Sequence, residues 1–239
     1  DSYVSVNEAL KHASASIGRS VNIDWIDSET LNGNLKQLDN FDGVLVPGGF
    51  GTRGSEGIIN TANFAREKNI PYLGICFGFQ LAAVSFARNV CNLSDANSTE
   101  IDGNTECPII DLLPEQDEVT DMGGSLRLGA NEINIDAQTN AHEIYQSNLI
   151  SKRHRHRYEF NCLHEKTLQS KGFQISGRSP DGKFVEICEI PDHPWYLAVQ
   201  FHPEFQSKPL KPHPLFSSFV QASFQHKTGQ LTINTAEAS

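Results

Sequence analysis

The sequence lacks several features that would point to membranes, secretion or nucleic acids. No apolar run approaches the roughly 20 residues that a membrane-spanning helix needs, and the first residues carry no secretory signal. Basic residues are few, since 19 Lys and Arg stand against 29 Asp and Glu, and the net charge of −10 argues against a nucleic-acid partner. We therefore expect a cytoplasmic protein without a membrane or nucleic-acid partner.

Cysteine spacing excludes two further classes. Five cysteines are present, but they form no paired short spacing and no zinc-ligand pattern. An odd number of unpaired cysteines favours free thiols in a reducing compartment and predicts no metal site. Four of the five have undistinguished surroundings and are expected in the core or in loops: Cys91, Cys107, Cys162 and Cys188.

The first half of the chain alternates helix-like and strand-like segments. Apolar spacing predicts helices at 4–16, 55–68 and 77–90, and short apolar runs predict strands at 21–26, 43–46 and 71–75. Such alternation is typical of right-handed crossover connections. It predicts an α/β fold with a mostly parallel central sheet that is covered by helices on both faces.

The second half is less regular and predicts a small additional antiparallel region. The expected elements are a polar loop at 92–105, a hairpin or bent strand pair at 125–135, a helix at 140–147, strands at 173–177, 184–190 and 196–201, and a helix at 214–225. No repeat or linker divides the chain. We expect one domain over 1–225, followed by a disordered tail at 226–239.

The fifth cysteine, Cys76, lies where a predicted strand meets a predicted helix, between Gly74 and Gly78. This frame is the thiol form of a nucleophile elbow, in which glycines leave room for a sharp turn. The helix that follows directs free N–H groups and its positive end at the sulfur, which favours a thiolate and a developing oxyanion. A buried core cysteine is the alternative, and the glycine frame favours the nucleophile.

A proton carrier for this thiol is offered by His202, which follows a predicted strand and precedes Pro203 and Glu204. In an extended segment, residues i and i+2 project to the same side, so Glu204 can accept a hydrogen bond from the imidazole. The alternative is a solvated glutamate in a loop at the strand end. Together, Cys76, His202 and Glu204 predict covalent acyl transfer.

Acyl transfer also needs donors for an oxyanion. The N–H of Phe77, directly after the nucleophile, is one candidate. A second is expected from the glycine-rich loop 47–51, which precedes a predicted helix at the same edge of the sheet. A plain turn and a phosphate loop are the alternatives, but no lysine follows in the P-loop register, so an ATP site fits poorly.

Charged residues suggest which acyl donor would bind. Glu100 is a candidate for a substrate ammonium and Arg157 for a substrate carboxylate, because both charges must be neutralised in a partly dry pocket. Gln80 lies one helical turn after Cys76 on the same face, where it can hydrogen-bond polar groups. The Arg- and His-rich segment 153–159 also fits a solvated face or an anion patch, so these assignments stay open at this point.

Two motifs, Gly74-Ile-Cys76-Phe-Gly-Phe-Gln80 and Phe201-His-Pro-Glu-Phe205, resemble class I glutamine amidotransferases. Six further segments resemble the glutaminase domain of the CTP synthase family: SVNEALKH at 5–12, VPGGFG at 46–51, NSTE at 97–100, MGGSLRLG at 122–129, RHRHRYE at 153–159 and HPLF at 213–216. The resemblance covers nearly the whole chain, and the motifs occur in the family's order.

The resemblance implies a role for each matching residue. Cys76, His202 and Glu204 would form the triad, and the N–H groups of Gly49 and Phe77 would form the oxyanion hole. The implied glutamine contacts are Gly49, Phe77, Gly78, Phe79, Gln80, Glu100 and Arg157. The sequence departs from the family at Phe77 and Phe79, where leucine and methionine are common. Position 77 acts through its main chain, whereas position 79 bears on the shape of the pocket.

The resemblance also implies a reaction and its partners. L-glutamine would be hydrolysed to glutamate and ammonia, and the ammonia would reach an N-terminal synthetase domain, outside this chain, that aminates UTP to CTP. The full-length enzyme is expected to be a homotetramer that uses ATP and Mg²⁺ and is activated by GTP. This domain alone is expected to be a monomer without cofactor or metal. Loop 51–57 is the predicted effector lid, with Arg53 as the GTP contact.

Three other interpretations stay open on the sequence. The chain could be the glutaminase domain of another amidotransferase or a γ-glutamyl hydrolase, both of which would share the triad. It could also be a catalytically silent module that uses the pocket to sense glutamine. Reactivity of Cys76 separates the silent module from the enzymes, and substrate preference separates the enzymes from one another.

Overall fold

The computed structural model describes residues 3–112 and 126–230. Its α-helices are α1 (Val4–Ser16), α2 (Ser55–Glu67), α3 (Phe77–Asn89), α4 (Asn140–Tyr145), α5 (Glu165–Gln169) and α6 (Pro214–Lys227). Its strands are β1 (Val44–Val46), β2 (Tyr72–Ile75), β3 (Ala96–Ser98), β4 (Cys107–Asp111), β5 (Arg127–Ile135), β6 (Leu149–His156), β7 (Glu159–Phe160), β8 (Gln174–Arg178), β9 (Val185–Glu189) and β10 (Tyr196–Val199). Short 3₁₀ turns occupy Ser28–Leu31, Lys36–Asn40, Cys162–His164 and Pro203–Gln206.

Seven strands form the main sheet in the order β1-β2-β10-β9-β8-β5-β6. The pairs β1–β2 and β2–β10 are parallel, and they bring the carboxyl ends of β2 and β10 to one edge. The α/β class with helices on both faces is confirmed. The antiparallel part is larger than the small region expected, since β10–β9, β9–β8, β8–β5 and β5–β6 are all antiparallel. A parallel link would need a crossover of a dozen or more residues, and 179–184 is too short for one.

Alternation along the central strands divides the core into two layers. Tyr72 of β2 packs in the layer that contains α2 and α3, whereas Leu73 and Ile75 pack in the layer that contains α1 and α6. Successive strand residues point to opposite faces, so a strand that is covered on both sides is apolar throughout. This is why β2 and β10 read as unbroken apolar runs.

Most predicted elements are present, and three predictions were wrong. Residues 21–26 form no strand; Val21 and Ile23 are half-buried against the α1–α6 layer, and this contact accounts for their alternation. The predicted loop 92–105 contains β3, which pairs with β4 in a small second sheet, β3-β4-β7. The expected hairpin at 125–135 is one long strand, β5, because its partner β6 follows α4. Residue 125 lies outside the described residues.

The carboxyl-terminal region differs slightly from expectation. Helix α6 continues to Lys227 rather than ending at 225, and residues 231–239 lie outside the described residues. Among the helices of the described chain, none combines the length and the apolar character that crossing a bilayer requires.

Candidate active site

The predicted strand-to-helix turn is present at Cys76, between the end of β2 and the start of α3. Cys76 has φ 52° and ψ −101°, a strained conformation for a residue with a side chain. Its N–H donates to the carbonyl of Val199 at 2.8 Å, which ties the turn to β10. The side chain is 4% exposed and lies at the N-terminus of α3. A sulfur held in this way stands at the positive end of a helix.

Close packing behind the turn requires a glycine. A Cβ on Gly78 would lie 2.3 Å from the carbonyl oxygen of Val46, so α3 can approach β1 only if position 78 has no side chain. The carbonyl of Gly78 accepts a hydrogen bond of 3.0 Å from the hydroxyl of Tyr72. The flanking glycines therefore set how closely the nucleophile turn approaches its neighbours, as the sequence pattern predicts.

His202 and Glu204 follow β10 and form a bonded pair. Nδ1 of His202 lies 2.8 Å from Oε1 of Glu204, and the N–H of His202 donates to the carbonyl of Arg153 in β6 at 2.8 Å. The pair exists, but not through the extended segment that the sequence argument assumed. Pro203 begins a 3₁₀ turn, so Glu204 reaches the ring from the first turn of a short helix.

The structure brings Cys76 and His202 together. A Cβ on Gly48 would lie 2.7 Å from Cε1 of His202 and 3.5 Å from Cβ of Cys76, so both side chains border one small space. The Sγ of Cys76 also lies 4.0 Å from the carbonyl oxygen of Arg155 in β6. Burial lowers the pKa of His202, but the hydrogen bonds to Cys76 and Glu204 outweigh this effect and raise the pKa to about 10. The ring therefore lies between the Cys76 side chain and the carboxylate of Glu204.

The two candidate oxyanion donors are neighbours. A Cβ on Gly49 would lie 3.4 Å from Cδ1 of Phe77, so the loop after β1 lies against the first residue of α3. Phe50, the next residue along the loop, is 87% exposed. The glycine-rich loop and the nucleophile turn therefore meet at the sheet edge where the sequence pattern placed both of them.

Three of the candidate substrate residues also lie close together. Glu100 accepts a hydrogen bond of 2.8 Å from the N–H of Gly51. Burial raises the pKa of Glu100, against the opposing effects of the Gly51 hydrogen bond and the charge of Arg157. Gln80 is buried, and its Nε2 donates to the carbonyl of Tyr158 at 3.0 Å and to Oε1 of Gln200 at 3.2 Å. Its amide nitrogen is therefore committed to protein acceptors.

Two predicted residues are placed differently from the rest. The Phe79 side chain is fully buried in the α2–α3 core layer, so only its main chain is available to a ligand. Arg53 is 75% exposed and pairs with Glu29 at 2.8 Å and Asp27 at 3.4 Å on the surface. The predicted lid 51–57 is partly helical, because α2 begins at Ser55. Among the described residues, no group of three or more potential ligands is arranged to hold a metal ion.

Sequence reasoning missed the residues of β6 that line the interior beside the site. The segment that it treated as a solvated basic face alternates: Lys152, His154 and His156 are buried, whereas Arg153 and Arg155 are exposed. The alternation of Arg and His from Arg153 to Arg157 was the available signal, because a period of two indicates a strand whatever the residues are.

Comparison with known proteins agrees with this geometry. The profile of the family described as Glutamine amidotransferase class-I matches residues 1–222. The chain belongs to the class I glutamine amidotransferases. The resemblance that the motifs indicated is confirmed at the level of the family.

Among class I glutamine amidotransferases, the chain is similar to CTP synthases. It is 52% identical to a CTP synthase of Caldanaerobacter subterraneus over 99% of the chain, and 53% identical to a CTP synthase of Halalkalibacterium halodurans over 94%. The chain spans 44% and 43% of the lengths of these relatives. A solved glutaminase domain of Trypanosoma brucei CTPS, with bound acivicin, superposes with a TM-score of 0.89 at 36% identity, covering 94% of this chain and 89% of that one.

Proposed function

We propose that this amidotransferase hydrolyses L-glutamine to glutamate and ammonia. Cys76 is the nucleophile, His202 the acid and base, and Glu204 the partner that orients the imidazole. One observation supports this most directly: Nδ1 of His202 lies 2.8 Å from Oε1 of Glu204, while the other side of the same ring and the Cβ of Cys76 border one small space beside Gly48.

The first half of the reaction forms a thioester. The thiolate of Cys76 attacks the side-chain amide carbon of glutamine, a C–S bond forms, and the carbonyl electron pair moves to oxygen. The N–H groups of Gly49 and Phe77 stabilise this oxyanion, by about 3–4 kcal/mol for each donor. When the intermediate collapses, the C–N bond breaks, and the leaving nitrogen takes the proton of His202 and departs as ammonia.

The second half releases glutamate. A water molecule gives a proton to His202 as its oxygen attacks the γ-glutamyl thioester. The C–S bond breaks, glutamate leaves, and the sulfur returns as a thiolate beside a protonated imidazole. Glu204 stays a carboxylate throughout and stabilises the imidazolium at both stages.

Glutamine is held by its two terminal charges. Glu100 binds the α-ammonium through the carboxylate oxygen that Gly51 does not occupy, and Arg157 binds the α-carboxylate. The main chain from Phe77 to Gln80 borders the side-chain amide. The charge of Arg157 acts on Glu100, which is consistent with the two groups facing one pocket.

The wider role follows from the named relatives and is part of the proposal. The ammonia reaches an N-terminal synthetase half, which uses ATP and Mg²⁺ to aminate UTP to CTP, in a cytoplasmic homotetramer; this domain by itself is a monomer. No residue of this chain is assigned to ATP, UTP or Mg²⁺. GTP activation is assigned to the 51–57 loop, where an effector that binds Arg53 would compete with Glu29 and Asp27.

Glutamate release and thiol labelling test the reaction. Cys76→Ala is expected to lower glutamate release by about a thousandfold or more, because the nucleophile is lost. The matched control is Cys162→Ala, which removes an exposed free thiol and should leave turnover unchanged. Undiminished turnover in Cys76→Ala would contradict the assignment.

Acivicin, the compound bound in the T. brucei domain, serves as the probe of the thiol itself. It should add one covalent adduct to the wild type and to Cys162→Ala, but none to Cys76→Ala, as measured by mass spectrometry. Labelling no faster than that of a free thiol would favour a silent glutamine-sensing module. Faster turnover of γ-glutamyl peptides than of glutamine would favour a hydrolase.

A further inference from the structure

A buried polar cluster lies beside the triad and takes no part in the reaction proposed above. It consists of Arg127 of β5, His154 and His156 of β6, Glu159 of β7 and Glu186 of β9. His154 and Glu186 are fully buried, and the side chain of Arg127 is 12% exposed. Arg127 contacts Glu186, lies 3.6 Å from Glu159 and stacks over Phe184. The N–H of His202 donates to the carbonyl of Arg153, next to His154, and the ring of His154 contacts Phe201, so the cluster borders the catalytic pair.

The direction of the hydrogen bonds in this cluster follows from the carbonyl oxygen of Tyr158, at which they end. Nδ1 of His156 lies 3.1 Å from the carbonyl oxygen of Tyr158, which can only accept. Nδ1 therefore carries the hydrogen, and Nε2 of His156 is left as an acceptor. Nδ1 of His154 lies 3.1 Å from that Nε2, so it must donate, and Nε2 of His154 carries no hydrogen.

This assignment requires both imidazoles to be neutral, since a neutral ring has one donor and one acceptor. Burial lowers the pKa of His154 to about 2 and that of His156 to about 3, and the charges of Arg127 and His202 act in the same direction. The only other oxygen near Nδ1 of His156 is Oε1 of Glu159 at 3.4 Å among the described contacts. It is also an acceptor, so it leaves the direction unchanged.

At the His154 end of these hydrogen bonds, the ring faces Glu186. Nε2 of His154 and Oε2 of Glu186 lie 3.6 Å apart, and neither atom has a hydrogen-bond partner among the described residues. A lone pair facing a carboxylate is unfavourable, and a buried polar atom without a partner costs free energy. One proton on Glu186 makes the two atoms complementary. Burial raises the pKa of Glu186 to about 7, against the attraction of Arg127.

At the His156 end, the hydrogen bonds reach the main chain beside the proposed substrate pocket. The carbonyl of Tyr158 accepts from His156 on one side and from Nε2 of Gln80 on the other, at 3.1 and 3.0 Å. Tyr158 directly follows Arg157, so these two bonds fix the short connection between β6 and β7 to helix α3. They also fix the main chain directly beside Arg157.

We propose that Glu186, His154 and His156 form a directional hydrogen-bond chain that holds the Tyr158 carbonyl and thereby positions Arg157 for the substrate carboxylate. His156 and Glu186 are positioning residues, and the substrate part of this statement rests on the proposed glutaminase function. When Glu186 ionises, it accepts a hydrogen from Nε2 of His154. Each imidazole then changes from the Nδ1–H to the Nε2–H tautomer. Nδ1 of His156 no longer carries a hydrogen, so its hydrogen bond to the carbonyl of Tyr158 is lost.

Histidine tautomers test the chain without any assay of activity. In the ¹⁵N-histidine-labelled protein at pH 6, two-bond ¹H–¹⁵N correlation spectra should show His154 and His156 as neutral Nδ1–H tautomers. Above the titration of Glu186 both should change to Nε2–H, and Glu186→Gln should keep Nδ1–H at all pH values, because its amide always donates. An Nε2–H tautomer of His156 at pH 6 would overturn the proposal.

Kinetics test the positioning. Glu186→Leu and His156→Leu are expected to raise KM for glutamine about tenfold, the worth of one strong hydrogen bond, with kcat within about threefold. In the wild type KM should rise with pH as Glu186 ionises, whereas Glu186→Gln should keep the low KM at high pH. Glu159 also titrates in this range and faces Arg127 and His156, so only the difference from Glu186→Gln is assigned to Glu186.

Glu189→Gln is the matched control, because Glu189 is a buried glutamate of the same strand that instead accepts from the N–H groups of Asn140 and Ala141. It should leave KM and its pH dependence unchanged. A KM for Glu186→Gln that rises with pH as in the wild type would refute the chain. A wild type without glutamine turnover would instead refute the proposed function and leave the tautomer result standing.

Discussion

Gly48 leaves the space in which the ring of His202 lies. A Cβ there would stand 2.7 Å from Cε1 of His202, closer than side-chain carbons approach in practice, and 3.5 Å from Cβ of Cys76. The glycine is needed for close approach to the imidazole. The glycine-rich sequence indicated a tight loop, but which of its glycines faces the base depends on where residue 202 arrives in space.

A methyl group at this position should disturb catalysis more than folding. In Gly48→Ala the ring of His202 must shift, and a displacement of the base on the order of 1 Å costs up to about a hundredfold in rate, so we expect kcat/KM to fall about 10- to 100-fold. Glutamate release and thermal unfolding measure the two effects. Gly103→Ala is the control, because its Cβ would meet only the carbonyl of Thr99 at 3.9 Å. Equal activity of the two variants would contradict this account.

At the scale of elements, the active-site turn depends on how closely α3 packs against β1. A Cβ on residue 78 would lie only 2.3 Å from the carbonyl oxygen of Val46. The sequence predicted the strand, the turn and the helix because their signals are local. It also predicted that glycine was needed, but not that Val46 was the neighbour.

Gly78→Ala should therefore separate α3 from β1. We expect the free energy of unfolding to fall by about 2–3 kcal/mol through overpacking, with loss of activity because Cys76 moves with the turn. Chemical denaturation measures the first effect and acivicin labelling the second. Gly103→Ala again serves as the control. Unchanged stability of Gly78→Ala would mean that the helix can shift without cost and that the contact does not constrain the turn.

At the scale of the whole molecule, buried titratable groups set how stability depends on pH. Burial lowers the pKa of five histidines from the ordinary 6.5: to about 2 for His154, about 3 for His156, about 4 for His193 and about 3 for His213, with His164 lowered as well. The unfolded state then binds more protons, so their contribution to stability is lost as pH falls below 6.5. His193 illustrates the cause: burial lowers its pKa even though its Nε2 lies 3.2 Å from the carbonyl oxygen of Ala65, a contact that acts in the opposite direction.

Three buried glutamates act in the opposite direction, and Glu189 is one of them, since burial raises its pKa. Burial raises the pKa of Glu159 to about 8 and that of Glu186 to about 7, from the ordinary 4.5. The folded state binds more protons than the unfolded state between 4.5 and these values, so stability falls as pH rises through that window. We expect Tm to be highest near pH 6.5 and to fall on both sides, because the histidines outnumber the glutamates below that pH, whereas above it stability is lost as the glutamates and His202 release their protons.

Circular dichroism melting between pH 3 and 9 checks this expectation. Glu186→Gln should flatten the alkaline side, since one ionising group is removed, and leave the slope below pH 4.5 unchanged. Glu56→Gln, at an exposed pair with Arg88, is the control. A Tm that rises steadily from pH 4 to 9 would show that the buried carboxyl groups do not titrate as described.

Local signals in the sequence specify the nucleophile turn, the helices and the buried central strands, because glycine frames and apolar periodicity act over a few neighbouring residues. The folded structure was needed to establish which residues distant in the sequence contact one another. It placed β6 opposite β5, brought Glu204 to His202 through a 3₁₀ turn, and buried His154 and His156 beside Glu186. Such contacts join residues far apart in the chain, and the same basic segment suits a solvated face or a buried strand until its partner strands are known.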